Sequence, residues 1–267
     1  TSRCTGCRGC QVACKQWNQN PGTKTTQRGT YQNPPELSTA TFKLVRFSET
    51  PGTGGDPNWF FFPDQCRHCL YPLCKMAADR KAKGAVAIDS RTRAVTFNPA
   101  VKISPEDFKE VREICPFDIP RYDEKSGGMS KCTMCFDRIS EGMLPACVKA
   151  CPTGTMNFGD RDAILKMAEN RRDEVRIVHR RASLIVPESV RVIFLVKDDP
   201  EKYHEFAAEK PGSGTATMTA MERLLALNRK APGKPARPAE TEIRSIPLAQ
   251  LAPNPNQPRR AFDDASL

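Results

Sequence analysis

Twelve cysteines constrain what this chain of 267 residues can fold into more than any other feature of its sequence. They form tight clusters in which neighbouring cysteines are often separated by only two residues. A disulfide framework spreads its cysteines across a small secreted scaffold, so this spacing argues against disulfides and favours metal binding. The cysteines stand at positions 4, 7, 10, 14, 66, 69, 74, 115, 132, 135, 147 and 151.

The first run, "CTGCRGCQVAC", has the spacing C-x2-C-x2-C-x3-C that two-cluster bacterial ferredoxins use. In that motif three thiolates bind one 4Fe–4S cluster and the fourth binds the other cluster. Gly6 and Gly9 suit such a loop because they allow close backbone approach and N–H donation to sulfur. Prolines directly follow Cys115 and Cys151, as in the ferredoxin Cys-Pro ending. A four-cysteine zinc site is the alternative, but zinc sites rarely use a third cysteine at the next two-residue step.

The segment "KCTMCFDRISEGMLPACVKACPTG" mirrors the first run, with an insertion before its third cysteine. If the two runs form one ferredoxin-like module, the crossover of the fourth cysteine closes two clusters. The first ligand set is then Cys4, Cys7, Cys10 and Cys151. The second ligand set is Cys14, Cys132, Cys135 and Cys147.

The stretch "CRHCLYPLCKMAADR" holds three more cysteines, but Ala78 stands where a fourth is expected. By the same rule, a second module nested inside the first takes its last ligand from Cys115. The residues before Cys115, "VKISPEDFKEVREI", have lost the three preceding ligands and predict a short helix after Pro105. All four ligands of a fourth cluster are therefore absent together. The third ligand set is Cys66, Cys69, Cys74 and Cys115, which makes three 4Fe–4S clusters in total.

These modules predict an α+β fold with two nested ferredoxin-like 4Fe–4S modules, loop-rich connections, a C-terminal helix and an extended tail. The first module comprises residues 1–30 and 126–160, and the second, which has lost its second cluster, comprises residues 60–125. Residues 31–59 connect them and contain a strand at 41–47.

Three further elements are expected outside the cysteine motifs. The segment "GAVAIDSRTRAVTFN" alternates around a polar turn and predicts a hairpin. Asp160 or Asp162 is expected to cap a helix that runs to about Arg172. With the buried strand "VRVIFLV", this helix closes the domain over residues 161–210.

The last segment, residues 211–267, shifts in composition toward Pro, Ala and charged residues. Residues 216–230 have a helical apolar face that predicts a docking helix, and a Pro-rich tail follows. The final 22 residues resemble the opening segment of ParB-type chromosome-partition proteins but stop before any DNA-reading element. A tail that wraps a partner is therefore expected rather than DNA binding.

The formal charge of +10 also points toward nucleic acid. If all twelve cysteines are thiolates on three iron–sulfur cores of roughly 2+ each, the net charge falls to about +4. Much of the basic excess is then internal counter-charge, and binding to nucleic acid is not expected. Positive charges near clusters raise their reduction potentials. The basic residues that flank the cysteines are Arg3, Arg8, Lys15, Arg67, Lys75, Lys131 and Lys149.

The longest apolar stretch, "LIVPESVRVIFLV", is too short to cross a bilayer and is interrupted by Pro187, Glu188 and Arg191. No membrane span is expected. The sequence does not start with Met and has no charged-then-apolar leader, so any export is expected to depend on a partner's signal.

Four motifs together resemble the iron–sulfur subunits of molybdopterin oxidoreductases: "CTGCRGCQVACKQW", "FFPDQCRHC", "CPFDIPRYD" and "KCTMCFDRISEGMLPACVKACPTGTMNFGD". The segment "QNPPELS" and the loss of one cluster are most similar to the beta subunit of soluble tungsten- or molybdenum-dependent formate dehydrogenases. The resemblance covers residues 1 to about 210, and the tail departs from it.

The resemblance implies that formate oxidation, or its reverse, takes place on a separate large subunit with a bis-pterin Mo or W centre. This chain then conducts electrons to a redox partner such as a c-type cytochrome, in a complex expected in the periplasm, with the cytoplasm as the alternative. The sequence has no catalytic constellation of its own, since His68, His179 and His204 are isolated. His68 is expected to pack or to form a hydrogen bond rather than bind metal.

Two other functions remain open at this point. The equivalent subunit of a nitrate, polysulfide or sulfoxide reductase has the same cofactors and a different substrate. A zinc-stabilised nucleic-acid-binding protein belongs to another class, and the basic charge and the ParB-like tail suggest it.

Overall fold

Short helices and two-stranded hairpins alternate along the chain in the computed structural model, which describes residues 2–52 and 55–209. This mixture confirms the helix and strand content expected for the α+β class. The helices are α1 Gly9–Trp17, α2 Leu73–Lys81, α3 Pro105–Glu113, α4 Phe136–Ser140, α5 Ala146–Lys149 and α6 Arg161–Arg176, with a 3-10 turn at Pro200–Lys202.

Each strand pairs with the next one in an antiparallel hairpin, so the described residues contain four separate two-stranded sheets. The strands are β1 Leu44–Pro51, β2 Pro57–Asp64, β3 Val86–Ile88, β4 Val95–Phe97, β5 Arg121–Asp123, β6 Gly128–Ser130, β7 Ser183–Leu184 and β8 Leu195–Val196.

The longest hairpin, β1–β2, differs from the strand expected at residues 41–47. Strand β1 begins at Leu44, opposite Asp64, and continues to Pro51, opposite Pro57. The expected connection therefore contains one whole strand and the start of the next. The rings of Phe47 and Phe61 meet edge to face across the pair, with centroids 5.0 Å apart. Such cross-strand aromatic contacts stabilise a hairpin, and here the paired strands continue beyond the apolar residues from which the strand was predicted.

The expected β3–β4 hairpin and the helix after Pro105 are both confirmed. Helix α3 packs against α2, and together with the β3–β4 hairpin they form one hydrophobic core. Ala78 is fully buried in this core, with Phe108 and Val111 from α3. Apolar side chains therefore fill the region beside Ala78, where the cysteine pattern lacks its fourth ligand.

Helix α3 begins with an N-cap that can be tested by mutation. The Ser104 hydroxyl accepts a hydrogen bond from the Asp107 N–H at 3.1 Å, and Pro105 occupies the first helical turn. We expect Ser104→Ala to lower the free energy of unfolding by about 1 kcal/mol, because one helical N–H loses its partner. Urea unfolding followed by circular dichroism measures this change. Ser90→Ala, in the exposed β3–β4 turn, is the control and should change stability by less than about 0.5 kcal/mol; equal effects would contradict the capping role.

The helix predicted after the last cysteine is present but longer than expected. Helix α6 reaches Arg176, and Asp160 is its N-cap residue, although the Asp160 side chain makes no capping hydrogen bond.

The prediction of one strand over "VRVIFLV" is largely wrong, because only Leu195 and Val196 are in a strand. The backbone N–H groups of Arg191 and Val192 donate to the Arg67 carbonyl at 3.1 and 3.0 Å, and Val190 bridges to Cys69. Backbone groups that would pair with a neighbouring strand instead hold the Cys66–Cys69 loop.

Two helix contacts join distant parts of the chain. Helix α1 packs against α5, which brings the first cysteine run to the last one, and α2 packs against α3. Within the part of the chain that the structure describes, no helix is both long and apolar enough to span a bilayer. The docking helix predicted at 216–230 and the Pro-rich tail lie outside the described residues.

Candidate metal centre

None of the twelve cysteines forms a disulfide. In the first ligand set, burial raises the pKa of Cys4, and repulsion from Cys151 and Cys7 adds to this. Burial raises the pKa of Cys10 to about 11, with further repulsion from Cys4 and Cys7. The four members therefore lie close enough to repel one another as thiolates. Cys7 is the exposed member of the set.

The second ligand set converges in the same way. Burial strongly raises the pKa of Cys14, and its neighbours Cys132, Cys147 and Cys135 raise it further. Burial also raises the pKa of Cys132 to about 12. These four cysteines line one cavity of about 1420 Å³, which lies between their loops and helix α6.

The third ligand set includes Cys115, which is isolated in the sequence. Burial raises the pKa of Cys69 well above its ordinary value, and repulsion from Cys66, Cys115 and Cys74 adds to the rise. Burial raises the pKa of Cys74 to about 12, and Cys115 is the thiol that repels it most. The fold therefore brings Cys115 to the three cysteines of the opening stretch.

The second ligand set lies next to both of the others. Burial is the main cause that raises the pKa of Cys10, a member of the first set. Repulsion from Cys147, a member of the second set, adds to this rise. Cys66 of the third set raises the pKa of Cys132 in the same manner. The three sets are thus arranged with the second in the middle.

Three loops of the type C-x2-C share one backbone geometry. The residue before the second cysteine has a positive φ in each loop: +66° at Gly6, +46° at His68 and +60° at Met134. This turn directs the N–H of His68 to the Cys66 sulfur and that of Met134 to the Cys132 sulfur, both at 3.3 Å. Such N–H donation stabilises negative charge on sulfur.

Gly6 has a second reason to be glycine, because a Cβ there would lie 3.1 Å from the rings of Phe47 and Phe61, which is tighter than most Cβ contacts. The sequence motif indicated a glycine for the approach to sulfur, whereas the contact with these two rings was not predicted.

Of the seven basic residues that flank the cysteines, two are buried beside thiols. Lys131 donates to the carbonyls of Val95 and Cys132, and its charge lowers the pKa of Cys132 against the larger effect of burial. Arg67 acts in the same direction on Cys115. In contrast, Lys75 forms a partly exposed ion pair with Asp79.

Lys43 is a further buried cation beside the thiols, and it was not predicted from the sequence. It is 2% exposed, and its positive charge lowers the pKa of Cys10 and Cys14 against the effect of burial. The available signal was a basic residue inside the largely apolar segment "TFKLVRF", in which Arg46 is the second basic residue.

His68 forms a hydrogen bond, as expected from its place inside the motif. Its Nδ1 accepts from the Val95 N–H at 3.0 Å. Burial, with the charges of Lys131 and Arg191, lowers the pKa of His68 well below its ordinary value. The imidazole is therefore neutral at pH 7.

An ion network supports the loop that carries the third ligand set. Asp64 is fully buried and pairs with Arg46 at 2.7 Å and with Arg67 at 2.6 Å. The Arg67 guanidinium also stacks within 5.1 Å of the rings of Phe62, Phe117 and Phe194. Arg67 is thereby fixed directly next to Cys66.

The donor chemistry fits 4Fe–4S clusters. Each ligand set offers four thiols, one for each iron corner of a cubane, and buried thiolates need a positively charged partner. Among the described residues, no three Cys, His, Asp or Glu side chains converge closely enough to hold a single metal ion.

Comparison with known protein families matches residues 57–161 to a 4Fe-4S dicluster domain. The chain is 49% identical over 208 residues to formate dehydrogenase 2 subunit beta (cytochrome c-553) of Nitratidesulfovibrio vulgaris, covering 78% of this chain and 95% of that protein. It is 49% identical over 207 residues to formate dehydrogenase subunit beta of Megalodesulfovibrio gigas, with the same coverage. It is 35% identical over 217 residues to the nitrate-inducible formate dehydrogenase iron-sulfur subunit of Escherichia coli, covering 76% of this chain and 69% of that protein.

Proposed function

Because the chain belongs to the family of formate dehydrogenase iron–sulfur (beta) subunits, we propose that it transfers electrons between a catalytic subunit and an external redox partner. The observation that supports this proposal is the mutual repulsion of neighbouring thiols, such as Cys4 with Cys151, Cys14 with Cys132, and Cys69 with Cys66 and Cys115. The 4Fe–4S dicluster match supports the same cofactor class.

The cofactors of this proposal are three 4Fe–4S clusters. Each of them, when bound, takes up and releases one electron. The first ligand set holds one cluster, the second set another, and the third set, including Cys115, the last. The mutual repulsion of the thiols within each set supports these assignments.

The two nested ferredoxin-like modules are part of the same proposal. The packing of α1 on α5 supports a first module made from residues 1–30 and 126–160. The packing of α2 on α3 supports a second module within residues 60–125.

The protein residues have two roles in this function. The N–H groups of the C-x2-C loops and the buried charges of Arg67 and Lys131 stabilise negative charge on the sulfur ligands. The central position of the second ligand set favours an electron path that runs from one outer set through it to the other.

The reaction itself belongs to a partner in this proposal. A large subunit with a Mo- or W-bis-pterin centre oxidises formate or reduces carbon dioxide, and this chain binds to it. A c-type cytochrome is the proposed external redox partner, and the cytochrome c-553 in the name of one relative supports it. The complex is proposed to be periplasmic and exported by the large subunit's signal.

Affinity purification of the full chain from its native cells tests this function. We expect mass spectrometry to identify a much larger pterin-containing subunit in the purified complex. The isolated chain, loaded with clusters, should give the EPR signals of reduced 4Fe–4S centres and no formate-dependent dye reduction. Robust formate-dependent reduction by the isolated chain would overturn the proposal, as would a chain that binds zinc instead of iron.

A further inference from the structure

Lys43 is buried directly before strand β1. Its side chain is 2% exposed, and its ammonium donates to the Pro63 carbonyl at 3.2 Å and to the Gln65 side-chain oxygen. Both acceptors are neutral. Among the described residues, no carboxylate lies within ion-pair distance of Lys43, although Arg46 and Arg67 nearby both have one.

An unpaired buried ammonium is costly, and burial alone lowers the pKa of lysine. Neither neutral acceptor offsets the charge of Lys43. The anionic groups that act on this ammonium are the thiolates of Cys147, Cys10, Cys132 and Cys14. The counter-charge of this lysine is therefore supplied by cysteines.

These four cysteines belong to two different ligand sets. Cys10 is in the first set, and the other three are in the second set. Lys43 also lines the cavity that the second set lines. Its ammonium thus lies where the two sets meet, and its two neutral acceptors hold it there.

We propose that Lys43 tunes electron transfer. Its fixed positive charge lies between the first and second ligand sets and raises the reduction potentials of the clusters that these sets hold. The inference rests on the proposed function. Reduction adds one negative charge to a cluster, and a buried cation nearby favours the reduced form because the interior screens charge weakly.

EPR-monitored redox titration of the full chain loaded with clusters tests this role. Lys43→Met removes the charge and keeps most of the side-chain volume. We expect the reduction equilibrium constants of two clusters to fall at least tenfold, a downward shift of about 59 mV for one electron. The third cluster should keep its potential. The same titration in a Cys115→Ala background identifies which signals belong to the first two ligand sets.

Two variants separate the charge from other effects. Lys43→Arg keeps the positive charge and should keep potentials close to those of the wild type. Lys109→Met removes an exposed lysine that pairs with Glu113 on α3, and it should shift none of the three potentials.

Failure of the role of Lys43 can be told apart from failure of the proposed function, because the iron content and EPR signals of the wild type test that function separately. Unchanged potentials in Lys43→Met with full iron content would overturn the role of Lys43. If Lys43→Met loses iron, Lys43→Gln, which can still donate a hydrogen bond, takes its place in the titration. If both neutral variants lose iron while Lys43→Arg retains it, the charge serves assembly and the proposal is overturned.

Discussion

Replacing Cys115 with alanine is expected to lower the iron content of the chain from about twelve atoms to about eleven, if the other three thiolates keep a three-iron form, or to about eight, if the whole cluster is lost. The thiol of Cys115 repels Cys69 and Cys74 in the fold and is itself buried, with its pKa raised to about 11. A cubane that loses one of four thiolate ligands is no longer held at one iron corner. Iron analysis and EPR of the reduced protein should therefore show two intact 4Fe–4S clusters instead of three.

The competing hypothesis is that Cys115 is a buried bystander and that three thiolates hold a three-iron cluster. In that case the wild type contains about eleven irons and gives a three-iron EPR signal, and Cys115→Ala changes neither. This result would remove Cys115 from the third ligand set and end the nested-module interpretation.

The matched variant Ala78→Cys adds a thiol where the sequence pattern lacks one. It should leave the iron content unchanged, because Ala78 is fully buried among apolar side chains of α2, α3 and the β3–β4 hairpin. The thiol that packs against this core is Cys74, which already belongs to the third ligand set, so a new cysteine lacks the further partners that a fourth cluster needs. A rise of about four irons would mean that the core between α2 and α3 can still accommodate a cluster.

The ligand sets stay predictions, but the cysteines could be grouped from the sequence because a cluster motif is mostly local. The two-residue gaps and the Cys-Pro endings are visible along the chain, and the crossover rule requires one pairing across each module. Helix α3 was predictable for the same reason, since Ser104 and Pro105 mark its start. Ala78 showed where a ligand is missing, but only the structure shows the apolar core that fills this region.

Lys43 and the segment "VRVIFLV" could not be assigned from the sequence, because their partners are distant. A lysine in an alternating segment is usually exposed, and its burial depends on α1 and on cysteines about ninety residues further along the chain. An apolar run predicts a continuous strand, but the backbone N–H groups of Arg191 and Val192 donate to the carbonyl of Arg67 instead of to a neighbouring strand. Contacts of this kind are set by tertiary packing and leave no local pattern.

The buried ion network predicts the second large effect. We expect Asp64→Asn to lower the free energy of unfolding by about 3–5 kcal/mol, because it removes the carboxylate that two buried arginines share. Glu36 still pairs with Arg46 in the variant, whereas Arg67 loses its carboxylate altogether. Urea unfolding followed by circular dichroism measures the difference, and iron content confirms that the variant was loaded before unfolding.

The loss of stability caused by Asp64→Asn should become smaller at low pH. Burial opposes ionisation of Asp64, but Arg67 and Arg46 outweigh it, so the pKa of Asp64 is lower in the folded chain than in the unfolded one. A lowered carboxyl pKa contributes stability that is fully present above the unfolded value of about 3.9 and is lost as the pH falls below it. The difference between wild type and variant should therefore stay constant from about pH 5 to pH 8.

An exposed ion pair provides the control for this prediction. Lys109 and Glu113 pair on the surface of α3, with side chains 75% and 65% exposed. Glu113→Gln should change stability by less than about 1 kcal/mol, because water and salt screen such pairs. If Asp64→Asn were equally mild, Arg67 would not depend on its buried carboxylate. The three aromatic rings around the guanidinium, and its backbone hydrogen bonds, would then be sufficient to hold Arg67 next to Cys66.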